Sequence, residues 1–333
     1  MLKVENLVKR FGDKYAVNDI SFTIGDKEIV GFLGPNGAGK TTVMNILTGY
    51  LSYTSGSVTV DCFEILDNPT EAKKLIGYLP EHPPLYPDMT VWEYLCFVYD
   101  LKDCARSDNS KVTNRTQHLM EICEKTRLLD VRKTVIRHLS KGYCQRVGIA
   151  QALVGYPKII ILDEPTVGLD PKQITEIRAL IRSLGKEHSI ILSNHILSEV
   201  QAVCNRIIIV NKGRIVADEL TEDLDTLLAG AKRLSVQICG PKSEVLTGLR
   251  AIEGVVSVDP PKEAHDSSAY EYKIDSEKGA DVRVKIFELC KNNDWPIVGM
   301  ETVRSSLENV FLKLTETKET KNSGKGNKKK ANN

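Results

Sequence analysis

The sequence has no C-x-x-C pair, no long apolar run and no dominant sign of charge. Its eight cysteines, at 62, 96, 104, 123, 144, 204, 239 and 290, are spaced neither for a zinc site nor for a disulfide framework. Free thiols in that number fit a reducing compartment. The longest apolar runs, "KIIILDE" and "RIIIVNK", fall far short of the ~20 residues needed to cross a bilayer. The opening "MLKVENLVKRF" reads as a strand and not as a signal peptide. The chain is therefore expected to be soluble by itself. A net charge of +1 over 333 residues makes no general case for nucleic acid, and none is expected as a partner. The charge is uneven, however: residues 318–333 hold six Lys against one Glu, a local +5 that leaves −4 for the rest. That Gly/Asn/Lys-rich end cannot bury a core and is read as disordered.

What remains is ordinary globular material, 41% hydrophobic and 27% charged, long enough for one large domain or two smaller ones. Short β-rich runs fill the first eighty positions: "KYAVNDISFTI", "KEIVGFLG", "GSVTVDCFEI" and "KLIGYLPE". The pattern then turns helical. Thr90 with Glu93 forms a capping box, and Trp92, Leu95, Cys96 and Tyr99 repeat at i, i+3, i+4, i+7, predicting the buried face of a helix. Apolar strand cores return at "KIIILDEP", "SIILSNH" and "NRIIIVNKGRIV", separated by the helix "PKQITEIRALIRSLGKE". This order implies a mostly parallel sheet covered on both faces. After a charged helix near residues 221–230, a second unit reads βαββαβ plus a last helix, "SLENVFLKLT", the ferredoxin-like split arrangement. The domains are expected at 1–230 (with a helical subdomain over about 90–150), 231–317 and a tail at 318–333.

Three stretches carry chemistry. "GPNGAGKT", Gly34 to Thr41, matches G-x-x-x-x-G-K-[ST] between an apolar strand and a helical pattern. Its glycines let backbone N–H groups surround phosphate oxygens at a helix N-terminus. Lys40 is placed to reach the β- and γ-phosphates, and the Thr41 hydroxyl to ligate Mg²⁺. "KIIILDEP" ends an apolar strand in two carboxylates that alternation sends to opposite faces. Asp163 is then the expected Mg²⁺ partner and Glu164 the general base. His195, closing the strand "SIILSNH", stands at a carboxyl strand end, where α/β sheets bind ligands; it is placed to polarise the γ-phosphate.

A single nucleotide site leaves "LSKGYCQR" without a task. A helix beginning there offers unpaired N–H groups and a partial positive charge, and Ser140 and Gly142 permit close approach of an anion. In a twofold dimer each such end would close the other subunit's γ-phosphate.

The same residues carry a family resemblance. Residues 1 to about 230 resemble the ATP-binding cassette of ABC transporters. The resemblance makes Gly34, Pro35, Asn36, Gly37, Ala38, Gly39, Lys40, Thr41 and Thr42 the Walker A nucleotide-binding residues and "IIILDEP" the Walker B strand. "GLD" at 168–170 becomes the D-loop, His195 the H-loop, and "LSKGYCQR" an LSGGQ-type signature. It places Phe11 against adenine, with Tyr15 as the alternative aromatic and Val17 also on the nucleotide. It implies an α/β P-loop ATPase with a β-rich subdomain, a RecA-like core and a helical subdomain. ATP and Mg²⁺ come with it, as do a second ATPase subunit and an integral membrane permease that holds the chain on the inner face of the cell membrane. Lys141 and Tyr143 depart from the commonest signature. Glu81 stands where the family usually has Gln, and a carboxylate is the better Mg²⁺ ligand. "YLPEHPPLYPDMTVWEYL" and "SLENVFLKL" resemble the ABC-2-type export subgroup. The alternative is a soluble ABC ATPase acting on a ribosome or assembly complex. Such proteins usually have a second P-loop, a long heptad insertion or a Cys hook, and this chain has none of them.

Overall fold

Strands buried on both faces read as unbroken apolar runs, and three of them form the centre of this chain. In a computed structural model describing residues 1–106, 110–222, 233–263, 269–277 and 280–303, β3 (Ile29–Leu33), β7 (Ile159–Asp163) and β8 (Ser189–Asn194) are buried at every position. With β6 (Ile76–Leu79), β9 (Arg206–Asn211) and β10 (Arg214–Leu220) they make a six-stranded sheet of order β10-β9-β3-β8-β7-β6. All neighbours run parallel except β10, which pairs antiparallel with β9. The stretch "NRIIIVNKGRIV" is thus two strands, not one. Lys212 (φ 48°) and Gly213 (φ 75°) make the tight turn, since two successive positive φ values are what a two-residue hairpin needs.

A second, antiparallel sheet contains β1 (Leu2–Phe11), β2 (Lys14–Ile24), β4 (Ser55–Val60) and β5 (Phe63–Glu64), in the order β2-β1-β4-β5. Here "GSVTVDCFEI" is broken at Asp61, whose φ is 54°. One apolar core lies between the sheets: Val4, Phe22 and Val58 of one pack with Phe32, Ile161 and Ile208 of the other.

Around this core stand α1 (Lys40–Leu47), α2 (Pro69–Lys74), α3 (Val91–Leu101), α4 (Ser110–Thr113), α5 (Arg115–Lys125), α6 (Lys141–Leu153), α7 (Pro171–Leu184) and α8 (Leu197–Gln201). The predicted capping box of α3 is present, with Thr90 Oγ1 accepting from Glu93 N and Glu93 Oε2 accepting from Thr90 N. Its buried face is rotated by one residue, to Val91, Tyr94, Leu95, Val98 and Tyr99, while Trp92 and Cys96 are half-exposed. The reason is that both tyrosines find acceptors: Tyr94 Oη donates to Gln151 Oε1 (2.7 Å) and Tyr99 Oη to the Val112 carbonyl (2.8 Å). A tyrosine whose hydroxyl is bonded can be buried like a phenylalanine.

The chain divides into two compact units, Met1–Thr221 and Glu222–Asn333. In the second, β11 (Arg233–Ile238), β12 (Val255–Val258), β14 (Tyr270–Ser276) and β15 (Ile297–Val303) form an antiparallel sheet of order β12-β14-β11-β15. A short β13 (Lys262–Glu263) also pairs with β14. The helices Lys242–Arg250 and Arg283–Asn292 bury Val245, Leu249 and Ile286 against Val236, Tyr272 and Ile274. This is the expected βαββαβ order. The final helix read at "SLENVFLKLT" and the Lys-rich tail lie outside the described residues. Among those described, no helix is long and apolar enough to cross a membrane.

Candidate nucleotide site

Parallel strands deliver their loops to the same end of a sheet. The carboxyl ends of the adjacent strands β3, β8 and β7 therefore bring together the loops after Leu33, Asn194 and Asp163. The loop after β3 turns into α1 at Gly39, whose φ of 104° excludes other residues and where a Cβ would fall 2.4 Å from the Ala16 carbonyl oxygen. No side chain caps α1 and its first turn has no acid. Lys40 is buried at 6% exposure, its Nζ donating to the Gly34 carbonyl (2.8 Å) and facing Glu164 Oε1 at 3.7 Å. The loop is also held from behind: Gly213 N donates to the Ala38 carbonyl (2.9 Å) and Asn18 N to the Gly213 carbonyl (2.8 Å). The hairpin turn between β9 and β10 is thus a brace under the phosphate loop. The Asn-Lys-Gly at 211–213 was its only sequence signal.

Asp163 and Glu164 part company as expected, but not through strand alternation. Asp163 ends β7, fully buried, and accepts from the Ser193 hydroxyl. Glu164 has already left the strand with φ 49°, a left-handed conformation that is costly for a non-glycine residue and concentrates at functional sites. Its N–H donates to the Ser193 carbonyl (3.1 Å). This turn swings the Glu164 carboxylate onto His195, whose Nδ1 lies 3.0 and 2.9 Å from its two oxygens.

The Asp163 carboxyl is pushed above its ordinary range, first by burial and further by the Glu81 carboxylate, against hydrogen bonds from Ser193 and Thr41 and the charge of Lys40. Glu81, itself exposed, therefore acts on Asp163 together with Thr41 and Lys40. Two carboxylates and a hydroxyl are hard oxygen donors of the kind Mg²⁺ takes. Among the described residues no group of three or more His, Cys, Asp or Glu could hold a metal. Such a set suits an ion that draws its other ligands from phosphate and water.

Phe11 is 53% exposed with Lys9 Nζ 5.0 Å from its ring centroid, leaving an aromatic face at the surface. Val17 is different. It is fully buried in the core between the sheets, so it offers no surface to a ligand and instead supports the strand beneath Gly39.

At the other helix start, Ser140 is the N-cap of α6, accepting from Tyr143 N at 3.5 Å. Gly142 lines the same open cavity as Ser140 and packs against α7, where a Cβ would meet Gln173 Cδ at 2.8 Å. Lys141 lies along Gly168, so close that a Cβ there would meet its Nζ. Ser140, Tyr143, Arg146, Asp170, Lys172 and Gln173 are among the residues lining an open cavity of about 560 Å³.

Residues 17–167 match the ABC transporter family. An uncharacterized ABC transporter ATP-binding protein of Bacillus subtilis (strain 168) is 31% identical over 325 residues, covering 95% of each chain. The chain belongs to the ABC transporter ATP-binding proteins. The linearmycin resistance ATP-binding protein of the same organism is 30% identical, covering 95% of this chain and 98% of its own. The bacitracin transport ATP-binding protein of Bacillus licheniformis is 30% identical, with 94% and 97% covered. Matches of that length run through the second unit. A solved ATP-binding cassette, dimeric in a post-hydrolysis state with ADP and Pi, instead covers 66% of this chain and 99% of its own, at 27% identity and a TM-score of 0.58. The cassette is common to these ATPases, and the second unit is shared with the full-length relatives. The arrangement of strands, phosphate loop and Walker B acids is that of a P-loop ATPase that binds ATP.

Proposed function

We propose that two copies of this chain close around two ATP molecules and that hydrolysis drives a separate integral membrane permease, in the direction of export. The observation that carries the hydrolytic part is the Glu164 carboxylate, buried between Lys40 Nζ at 3.7 Å and His195 Nδ1 at 2.9 Å. Glu164 is the base that takes the proton of the attacking water. His195, donating through Nδ1, orients that carboxylate and stands beside the γ-phosphate, towards which Lys40 extends from the loop. Phe11 stacks on the adenine. Thr41, Asp163 and Glu81 hold Mg²⁺, which when bound supplies positive charge against the phosphate oxygens.

The dimeric state of the solved cassette supports pairing of two copies, with Ser140 at the start of α6 set against the partner's nucleotide. The bacitracin and linearmycin names of the relatives support export. Exposed Tyr86 packs edge-on against Phe97 at 5.4 Å and tilted against Tyr94 at 6.0 Å. This exposed aromatic ledge, a few residues after Glu81 in the chain, supports reading the segment as the permease-docking surface, through which the chain would be held at the inner face of the cell membrane. Glu164→Gln tests the assignment: it keeps the shape of the side chain and removes its basicity. ATP binding should persist while turnover falls by roughly 10²–10⁴. Hydrolysis at the unaltered rate would move the base elsewhere.

A further inference from the structure

Behind the reacting groups lies a buried polar cluster that the assignments above leave unused. Glu199, on α8, is 8% exposed. Its Oε2 accepts from the Thr166 hydroxyl and from Asn194 Nδ2 (2.9 Å). Its Oε1 lies 3.8 Å from Arg178 Nη2 on α7. Asn194 Nδ2 also reaches Thr166 Oγ1 at 3.2 Å, and Asn194 Oδ1 accepts from Ile196 N at 2.8 Å. The Asn194 side chain therefore fixes the backbone on both sides of His195. Thr166 stands two residues beyond Glu164, in a turn where Val167 N donates to the Glu164 carbonyl (3.2 Å) and Leu169 N to the Thr166 carbonyl (3.3 Å). One carboxylate thus ties together the two segments that carry the base and its histidine.

Resting on the reading of Glu164 and His195 as the hydrolytic pair, we infer that Glu199 is a positioning residue for that pair, acting on His195 through Asn194 and on the turn after Glu164 through Thr166. A side-chain oxygen that accepts from two donors at once holds both of them in a fixed geometry. The contact it sets is the bifurcated one at 2.9–3.0 Å between His195 and Glu164, and small misplacements of such groups are costly to rate. The hydrogen-bond and ion-pair partners of Glu199 are Thr166, Asn194 and Arg178, none of them on the phosphate loop, so ATP affinity is expected to change little without it.

The test compares Glu199→Ala, Glu199→Gln, His195→Ala and the Glu199→Ala/His195→Ala pair, measuring kcat, KM, ATP affinity and melting temperature. Glu199→Ala should lower kcat by about 10- to 100-fold, with ATP affinity within about two-fold. It should lower kcat no further once His195 is Ala, because residues acting as a unit are non-additive. Glu199→Gln should recover most of the rate, since its amide oxygen still accepts from Asn194 and Thr166. An unchanged kcat, or a loss equally large in the His195→Ala background, would overturn the inference and leave Glu199 a fold residue. If Glu199→Ala does not fold, Thr166→Val removes the same hydroxyl donor and is held to the same outcomes. Normal hydrolysis by both His195→Ala and Glu164→Gln would remove the underlying reading, and this inference with it. Slow turnover in those two beside normal turnover in Glu199→Ala would defeat the inference alone.

Discussion

Two helices of the cassette begin with a lysine behind a small residue, α1 at Gly39-Lys40 and α6 at Ser140-Lys141, and they solve the same problem differently. Both leave N–H groups unpaired at a positive helix end, and neither has an acid in its first turn. At α1 nothing of the chain's own fills the gap. Gly39 supplies no cap, and Lys40 is buried against the Gly34 carbonyl and Glu164. At α6 the Ser140 hydroxyl accepts from Tyr143 N, but at 3.5 Å, the outer limit of a hydrogen bond. Its lysine is exposed and rests on Gly168. The first end is a finished anion cradle served by residues from three strands. The second is a half-satisfied end, weakly capped and carrying a like charge, beside an open cavity. The contrast separates a helix end served from within the fold from one that the proposed dimer would have to complete.

Exchanging each lysine for alanine should break the symmetry most visibly. Lys40→Ala removes a buried charge aimed at the phosphates and should weaken ATP binding by about 10²-fold or more. Lys141→Ala removes an exposed charge and should change binding roughly five-fold at most. Equal losses, read by nucleotide titration of each variant, would mean that the two ends do the same work within one chain.

Mixing sharpens the comparison further. Ser140→Arg blocks the α6 end and Lys40→Ala disables the α1 end, so each variant alone should be inactive. If the ends meet across two subunits, mixed dimers hold one intact site, and ATPase activity should return on mixing to a fraction of the unaltered level. A mixture no more active than its components would show that closure does not join these two ends.

The two ends were not equally legible. The α1 cradle is contiguous in sequence and its strand is buried on both faces, so motif and apolar run coincide. The α6 start was legible as a helix beginning at Ser140, but the partner of Gly142 was not: Gln173 lies on another helix, and only folding shows that it takes the space left for a side chain. The same holds for Glu199, whose partner Thr166 is 33 residues away. It holds too for Glu164, whose turn at φ 49° goes against its residue type and no local pattern announces. The face of α3 was read one residue off because Trp92 and Cys96 fit the helical spacing as well as Val91 and Tyr94 do, and only the fold supplies the Gln151 acceptor that lets Tyr94 be buried. Contiguous chemistry and doubly buried strands are written locally, whereas side-chain networks are written in the topology.

The smallest expected effect separates capping from ligand binding at Ser140. As a cap, its hydroxyl contributes to the stability of α6. Ser140→Ala should cost stability towards the lower end of the 0.5–2 kcal/mol range for lost caps, about 0.5 kcal/mol, since the bond is long, and Ser140→Gly only a few tenths. Both substitutions remove the same hydroxyl. If it also meets the partner's phosphate, the two variants should lower turnover by the same factor although their melting temperatures differ. Turnover that instead tracks stability, normal in Ser140→Gly and reduced in Ser140→Ala, would make Ser140 a helix cap and nothing more. The α6 end would then have to engage its anion through backbone N–H groups alone.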